Sequence, residues 1–328
     1  MSKIIIGIHG LGNKPPSELL ERWWKLSICE GLKAIGRPRF FLPFKIIYWS
    51  NFIHPQPLNP QETNKENPLY LEDPYIPAKD YSQKLSGRLR KKFLDYLEKQ
   101  LDKLLLNEDL SINFTVISDI IIHHFFRDLE IYYTKNGEGG IQESSSARTL
   151  IRDQVMQVLK KYKKKDILLL AHSMGSIIAF DVLHQNISDI EIDTFVTIGS
   201  PLGIPIIMQK MMAEHKLKLD KKGRLKTPDN IRKKWFNFAD LDDKVALNYN
   251  LQDDYCENIQ NIQPIDQIVY NNYEVGGQRN PHKAYGYLRT PQVSRIINDF
   301  LNRDRSQLTI WFLEKINRWL TRRRIEKN

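Results

Sequence analysis

Short apolar runs alternate with longer amphipathic stretches along this chain. Lys3 to Ile8, Phe44 to Trp49, Ile167 to Leu170, Ile192 to Ile198, Trp235 to Ala239 and Gln267 to Tyr270 have strand length. The Ile167–Leu170 run has no polar alternation, as expected of a parallel strand buried on both faces. Between the runs, apolar residues recur at helical spacing. Leu19, Leu20, Trp23, Trp24 and Ile28 predict a helix over Ser17–Leu32, with Ser17 as a candidate N-cap. Further helices are predicted over 82–106, 112–133, 144–162 and 176–182. Strands that alternate with helices predict an α/β fold, a mostly parallel sheet with helices on both faces.

One region breaks the alternation. His54 to Lys79 is rich in Pro and Asn and too polar to pack on its own, and two helical stretches and the flexible Gly137–Gly140 segment follow it. Residues 51–142 therefore predict a helical cap inserted over the carboxyl ends of the strands, between core segments 1–50 and 143–305. The cap's second helix is strongly apolar, with Val116, Ile117, Ile120, Ile121, Phe125 and Phe126. Such a face suits an acyl chain or the seal between cap and body. His123-His124 reads as a polar edge of that helix, since no H-E-x-x-H spacing accompanies it.

Composition changes this picture in two ways. No apolar run is long enough to span a bilayer, and the opening strand is too short for a secretory h-region. Two cysteines, Cys29 and Cys256, offer no disulfide framework and no metal-ligand spacing, which suits a reducing cytoplasm. No metal or cofactor is implied. The formal charge is +10, and it is concentrated. Ile206 to Lys234 reads as a basic insertion, with ten Lys/Arg against three acids; Arg303 to Asn328 holds eight against three. In the latter, Leu308, Phe312, Ile316, Trp319 and Leu320 recur at helical spacing beside Arg318 and Arg322-Arg323-Arg324. Residues 306–328 thus predict a basic amphipathic helix, suited to an anionic membrane surface or to packing on the body. No nucleic-acid motif is present, so nucleic acid is not an expected partner.

The candidate chemistry sits in Asp166–Asp181, DILLLAHSMGSIIAFD. Strand, sharp turn around a serine, then helix is the context of a nucleophile elbow, and Ala171 and Gly175 supply the small flanking residues. Ser173 is the candidate nucleophile, and the helix that follows aims free N–H groups at the space above it. The first strand ends in His9-Gly10-Leu11-Gly12-Asn13, where Gly10 and Gly12 allow a tight turn and close approach to substrate. The N–H groups of Leu11 and Met174 are the candidate oxyanion hole, and His9 reads as a residue that orients its loop. A serine hydroxyl needs a base, and the base needs an acid to fix its tautomer. The order Ser173, an acid within Asp240–Asp243, then His282 supplies them. Ser200, in a Gly-Ser-Pro strand end, lacks elbow spacing. His172 reads as a loop-packing residue, and His54, His184 and His215 as ordinary helix or loop histidines.

Together the HG-x-G loop, the S-x-G elbow, the GSP strand end, the D-x-V turn and the late loop histidine resemble the α/β-hydrolase superfamily. The resemblance runs closest to intracellular serine esterases and lipases whose chain opens at the HG strand, and it covers the core strands, about half the chain. It implies Ser173 as nucleophile and His282 as general base. Asp243, in Asp243-Lys244-Val245, best matches the family's acid, with Asp240 and then Asp242 as alternatives. Ala171 and Lys244 depart from the common glycine and proline. The expected function is hydrolysis of a lipid or other acyl ester, at a cytoplasmic site or peripherally at a membrane. A thioesterase, an acyltransferase or a non-catalytic binding protein of the same fold are the alternatives.

Overall fold

In the computed structural model the residues described are 2–78, 129, 132–133, 147–185, 189–246, 248–306, 309 and 315–317. Six parallel strands form the central sheet: β1 (Lys3–Ile8), β2 (Phe44–Ile47), β3 (Asp166–His172), β4 (Ile192–Ile198), β5 (Ile231–Ala239) and β6 (Pro264–Ile268), in spatial order β2-β1-β3-β4-β5-β6. Successive side chains on a strand point to opposite faces. Ile4, Ile6, Ile167, Leu169, Phe195 and Trp235 accordingly enter one core, and Ile5, Leu168, Leu170, Val196, Phe236 and Phe238 the other.

Helices cover both faces. On the first core lie α2 (Ala147–Tyr162), α3 (Met174–Leu183) and α4 (Pro205–His215). On the second lie α1 (Ser17–Ala34), α5 (Ala284–Leu288) and α6 (Pro291–Asn302). The register aligns Ile47, Ile8, Ala171, Thr197, Asn237 and Asp266 in one row across the sheet. Every loop that carries a candidate residue leaves its strand within a few residues of that row.

Several elements differ from expectation for local reasons. Helix α1 begins at Ser17 without a side-chain cap; the Pro16 carbonyl accepts the Leu19 and Leu20 N–H groups instead. Strand β2 stops at Ile47, and the Trp49 N–H leaves the ladder to donate to His9 Nε2 at 3.1 Å. Strand β6 starts at Pro264, a first-position proline that an edge strand tolerates. It ends at Ile268, and the Asn271 N–H beyond it turns to Asp240 Oδ2 at 2.6 Å. The 206–234 segment is not an insertion: it holds most of α4 and the first four residues of β5, and Ile207, Met211, Leu225 and Ile231 are buried in the core.

The helices expected at 82–106 and 112–133, with His123-His124, lie outside the described residues except for Leu129, Tyr132 and Tyr133, which are buried in the first core. The C-terminal helix expected at 306–328 lies outside them except for residues 306, 309 and 315–317. The polar 54–78 stretch is described, and it is held to the body mainly by polar contacts. Asp73 accepts from Asn280 Nδ2 at 2.9 Å and pairs with Lys283 at 3.2 Å. The Pro74 carbonyl accepts from the Tyr273 hydroxyl at 2.6 Å, and the Ile76 carbonyl from Arg289 at 2.7 Å.

Candidate active site

Ser173 stands between β3 and α3 with φ 52° and ψ −128°, a backbone conformation that non-glycine residues rarely occupy. Its neighbours explain how the turn closes. A Cβ on Gly175 would lie 2.5 Å from the Ile8 carbonyl oxygen and 2.6 Å from that of His9, so only glycine lets α3 start against β1. A Cβ on Gly10 would lie 2.8 Å from Cβ of Ser173, which places the HG-x-G loop directly against the serine. The Ser173 carbonyl is held from behind by the Ser176 hydroxyl at 2.6 Å, and that hydroxyl bonds to Ser200 at 2.8 Å. Ser200 thus braces the elbow from within the core.

Three candidate residues from three loops meet in one chain of hydrogen bonds. The Ser173 hydroxyl donates to His282 Nε2 at 2.9 Å, and His282 Nδ1 donates to Asp243, 2.9 Å from each carboxylate oxygen. Ser173 and Asp243 are buried. Asp243 also accepts the Val245 N–H at 2.9 Å and the Tyr287 hydroxyl at 2.7 Å. Tyr287 in turn accepts the Asp240 N–H at 2.9 Å, which leaves its own proton for Asp243. Burial and the neighbouring Asp243 charge push the Tyr287 phenol well above its usual range, so it remains a donor.

The other two acids of the cluster do different work. Asp240 and Asp242 both pair with Arg279, which lies on the loop that ends in His282. Arg279 also stacks over Tyr270, 4.1 Å from the ring centre. Asp240 accepts the Asn271 N–H besides. The pair therefore folds the histidine's loop, while Asp243 alone reaches the imidazole.

His172 and His9 hold backbone. Burial pushes His172 well below the usual histidine range, so it is neutral. Its Nε2 donates to the His282 carbonyl at 2.7 Å, and the two rings lie 4.8 Å apart. It packs the loop that carries His282, a narrower task than general loop packing. His9 is likewise held neutral by burial. Its Nδ1 donates to the Gly10 carbonyl at 2.8 Å, its Nε2 accepts from Trp49, and its ring stacks on Trp49 at 4.8 Å. A peptide unit is planar and trans, so fixing the Gly10 carbonyl fixes the opposed direction of the Leu11 N–H. The Met174 N–H belongs to the first turn of α3, where amides have no intrahelical partner. Gly12, with φ 79°, completes the turn of the HG-x-G loop.

A cleft opens beside His282. Its apolar lining includes Leu20 and Trp24 of α1, Leu58 and Leu71 of the polar 54–78 stretch, a strap across the body, and Tyr285. The Asp73–Lys283 pair lies at its edge. Tyr287, Arg279 and Asp73 had no signal in the sequence: each acts across tens or hundreds of positions, and no short spacing marks such a contact. Among the described residues, no group of three His, Cys, Asp or Glu is arranged to hold a metal ion.

Six parallel strands covered on both faces, with a serine on a strained strand-to-helix turn, have the architecture of the α/β-hydrolase fold. A family model, the PGAP1-like alpha/beta domain, matches residues 140–249, a stretch that includes the elbow and the Asp240–Asp243 turn. Among solved structures, the chain is similar to "the putative cell surface hydrolase from Lactobacillus plantarum WCFS1", at 10% identity and a TM-score of 0.33, over 97% of this chain and 98% of that one. No curated protein matches it.

Proposed function

We propose that this chain is a serine hydrolase that cleaves carboxylic esters of lipids or other acyl compounds. The observation that carries the reading is the unbroken series of hydrogen bonds from Ser173 through His282 to Asp243. In this reading Ser173 Oγ attacks the ester carbonyl and passes its proton to His282 Nε2, and Asp243 stabilises the imidazolium at Nδ1. The N–H groups of Leu11 and Met174 receive the developing oxyanion. His282 returns the proton to the leaving alcohol, and water, deprotonated by the same imidazole, releases the acyl group from Ser173. The apolar cleft, with walls from α1 and the strap, suits an acyl chain.

Turnover of p-nitrophenyl esters from acetate to palmitate tests this. The wild type should hydrolyse part of the series, and Ser173→Ala should lose about 10⁴-fold or more in kcat. A Ser173→Ala protein that turns over as fast as wild type would contradict the proposal.

A further inference from the structure

Among the described residues, Phe41 is the most exposed large hydrophobic, at 75%, and its neighbour Phe40 is 52% exposed. They stand on the loop between α1 and β2, just before Leu42 and Phe44 turn into the core. An exposed apolar patch of this kind marks a contact surface. Asn317 Oδ1 accepts the Phe40 N–H at 3.0 Å, and Ile316 beside it is 37% exposed.

The surroundings are basic. Arg39 Nη2 donates to Asn302 Oδ1 at 2.6 Å, and Arg305 reaches the same oxygen at 3.5 Å, so two guanidinium groups meet beside the phenyl pair. Arg37 and Arg305 are exposed, as is Lys315 next to Ile316. Of the nearby acids, Asp304 is paired with Lys3 at 3.1 Å, and Asp299 is exposed. Aromatic rings framed by cations complement a bilayer that carries negative headgroups: the rings enter the interface and the cations stay with the phosphates.

We propose that the Phe40–Phe41 loop, with Arg39 and Arg305 beside it, docks this protein on an anionic lipid bilayer. The loop precedes β2 and so lies at the amino ends of the parallel strands, whereas Ser173, His282 and the cleft lie at the carboxyl ends. Docking therefore leaves the cleft facing away from the bilayer, and substrate reaches it from the aqueous side.

Co-sedimentation of the full chain with vesicles of phosphatidylcholine, with and without phosphatidylserine, tests the proposal. Binding is expected to the anionic vesicles only, and it should weaken as salt rises. Phe40→Ser/Phe41→Ser should lower the affinity roughly tenfold or more while the melting temperature stays unchanged. Arg305→Gln/Lys315→Gln, at exposed positions, should weaken binding and flatten its salt dependence. Equal binding of neutral and anionic vesicles would overturn the proposal. So would wild-type binding by the phenylalanine variant, or self-association through these rings without vesicle binding.

Discussion

Asp243 shows what a single carboxylate requires here. It is buried, and it receives the imidazole N–H, the backbone N–H groups of Val245 and Ala246, and the Tyr287 phenol. Each donor helps hold the carboxylate toward the imidazole, and the phenol is the one that substitution can remove cleanly. Tyr287→Phe leaves Asp243 with one donor fewer to fix its orientation, so kcat should fall about three- to tenfold, one hydrogen bond's worth. Steady-state kinetics check it; a lower melting temperature with an unchanged kcat would reduce Tyr287 to a packing residue. Ser173 and His282 were legible in the sequence because each lies in a local pattern, a strand-turn-helix and a late glycine-rich loop. The choice between Asp243 and Asp240 turned on the match to Asp243-Lys244-Val245. Geometry adds the reason that Asp240 is occupied: Arg279 and Asn271 already hold it.

Elements were legible where burial is uniform and misread where backbone leaves a ladder for a polar partner. The first and fourth strands, Lys3–Ile8 and Ile192–Ile198, coincide with their apolar runs. The ends of the second and sixth do not, since Trp49 serves His9 and Asn271 serves Asp240. Histidines read as ordinary also hid a buried knot. Asp181 of α3, fully buried, accepts from His215 Nε2 at 2.6 Å, the Tyr132 hydroxyl at 2.6 Å, and Arg148 Nη2 at 3.1 Å. Arg152 lies 3.6 Å away, and Glu214 pairs with Arg148 at 2.8 Å. The knot ties α2, α3 and α4 to the segment that contains Tyr132.

Burial alone would raise the Asp181 carboxyl, but its bonds to His215 and Arg148 outweigh that and hold it far below the usual range. A lowered folded-state value contributes stability that is present above the unfolded carboxylate value, near pH 4, and lost as pH falls below it. Asp181→Asn should therefore destabilise the protein by about 3–5 kcal/mol at neutral pH, because the buried carboxylate that Arg148, Arg152 and His215 share is lost. The gap to wild type should narrow below about pH 4. Urea midpoints across pH measure this; equal midpoints at neutral pH would count against the knot as a stabilising unit.

At the scale of the molecule, the parallel sheet sets two poles. Its carboxyl ends gather the serine, the imidazole, the amides of two loops and an apolar cleft roofed in part by the polar strap. Its amino ends carry the phenylalanine pair and the basic cluster. The layered fold was legible from alternating elements. The strap's place was not: its hold on the body comes from Asp73, Pro74 and Ile76 meeting Asn280, Tyr273 and Arg289, partners about 200 positions away. The basic 206–234 stretch misled in the opposite sense, since most of its charges lie between α4 and β5 or on the exposed opening of β5, while Ile207, Met211, Leu225 and Ile231 are core.

The measurement closest to the central claim is covalent labelling by a fluorophosphonate, which reports an activated serine without any assumption about substrate. A single phosphonylated peptide containing Ser173 is expected, and no label in a folded His282→Ala protein. Label elsewhere, or none on the folded wild type, would contradict it.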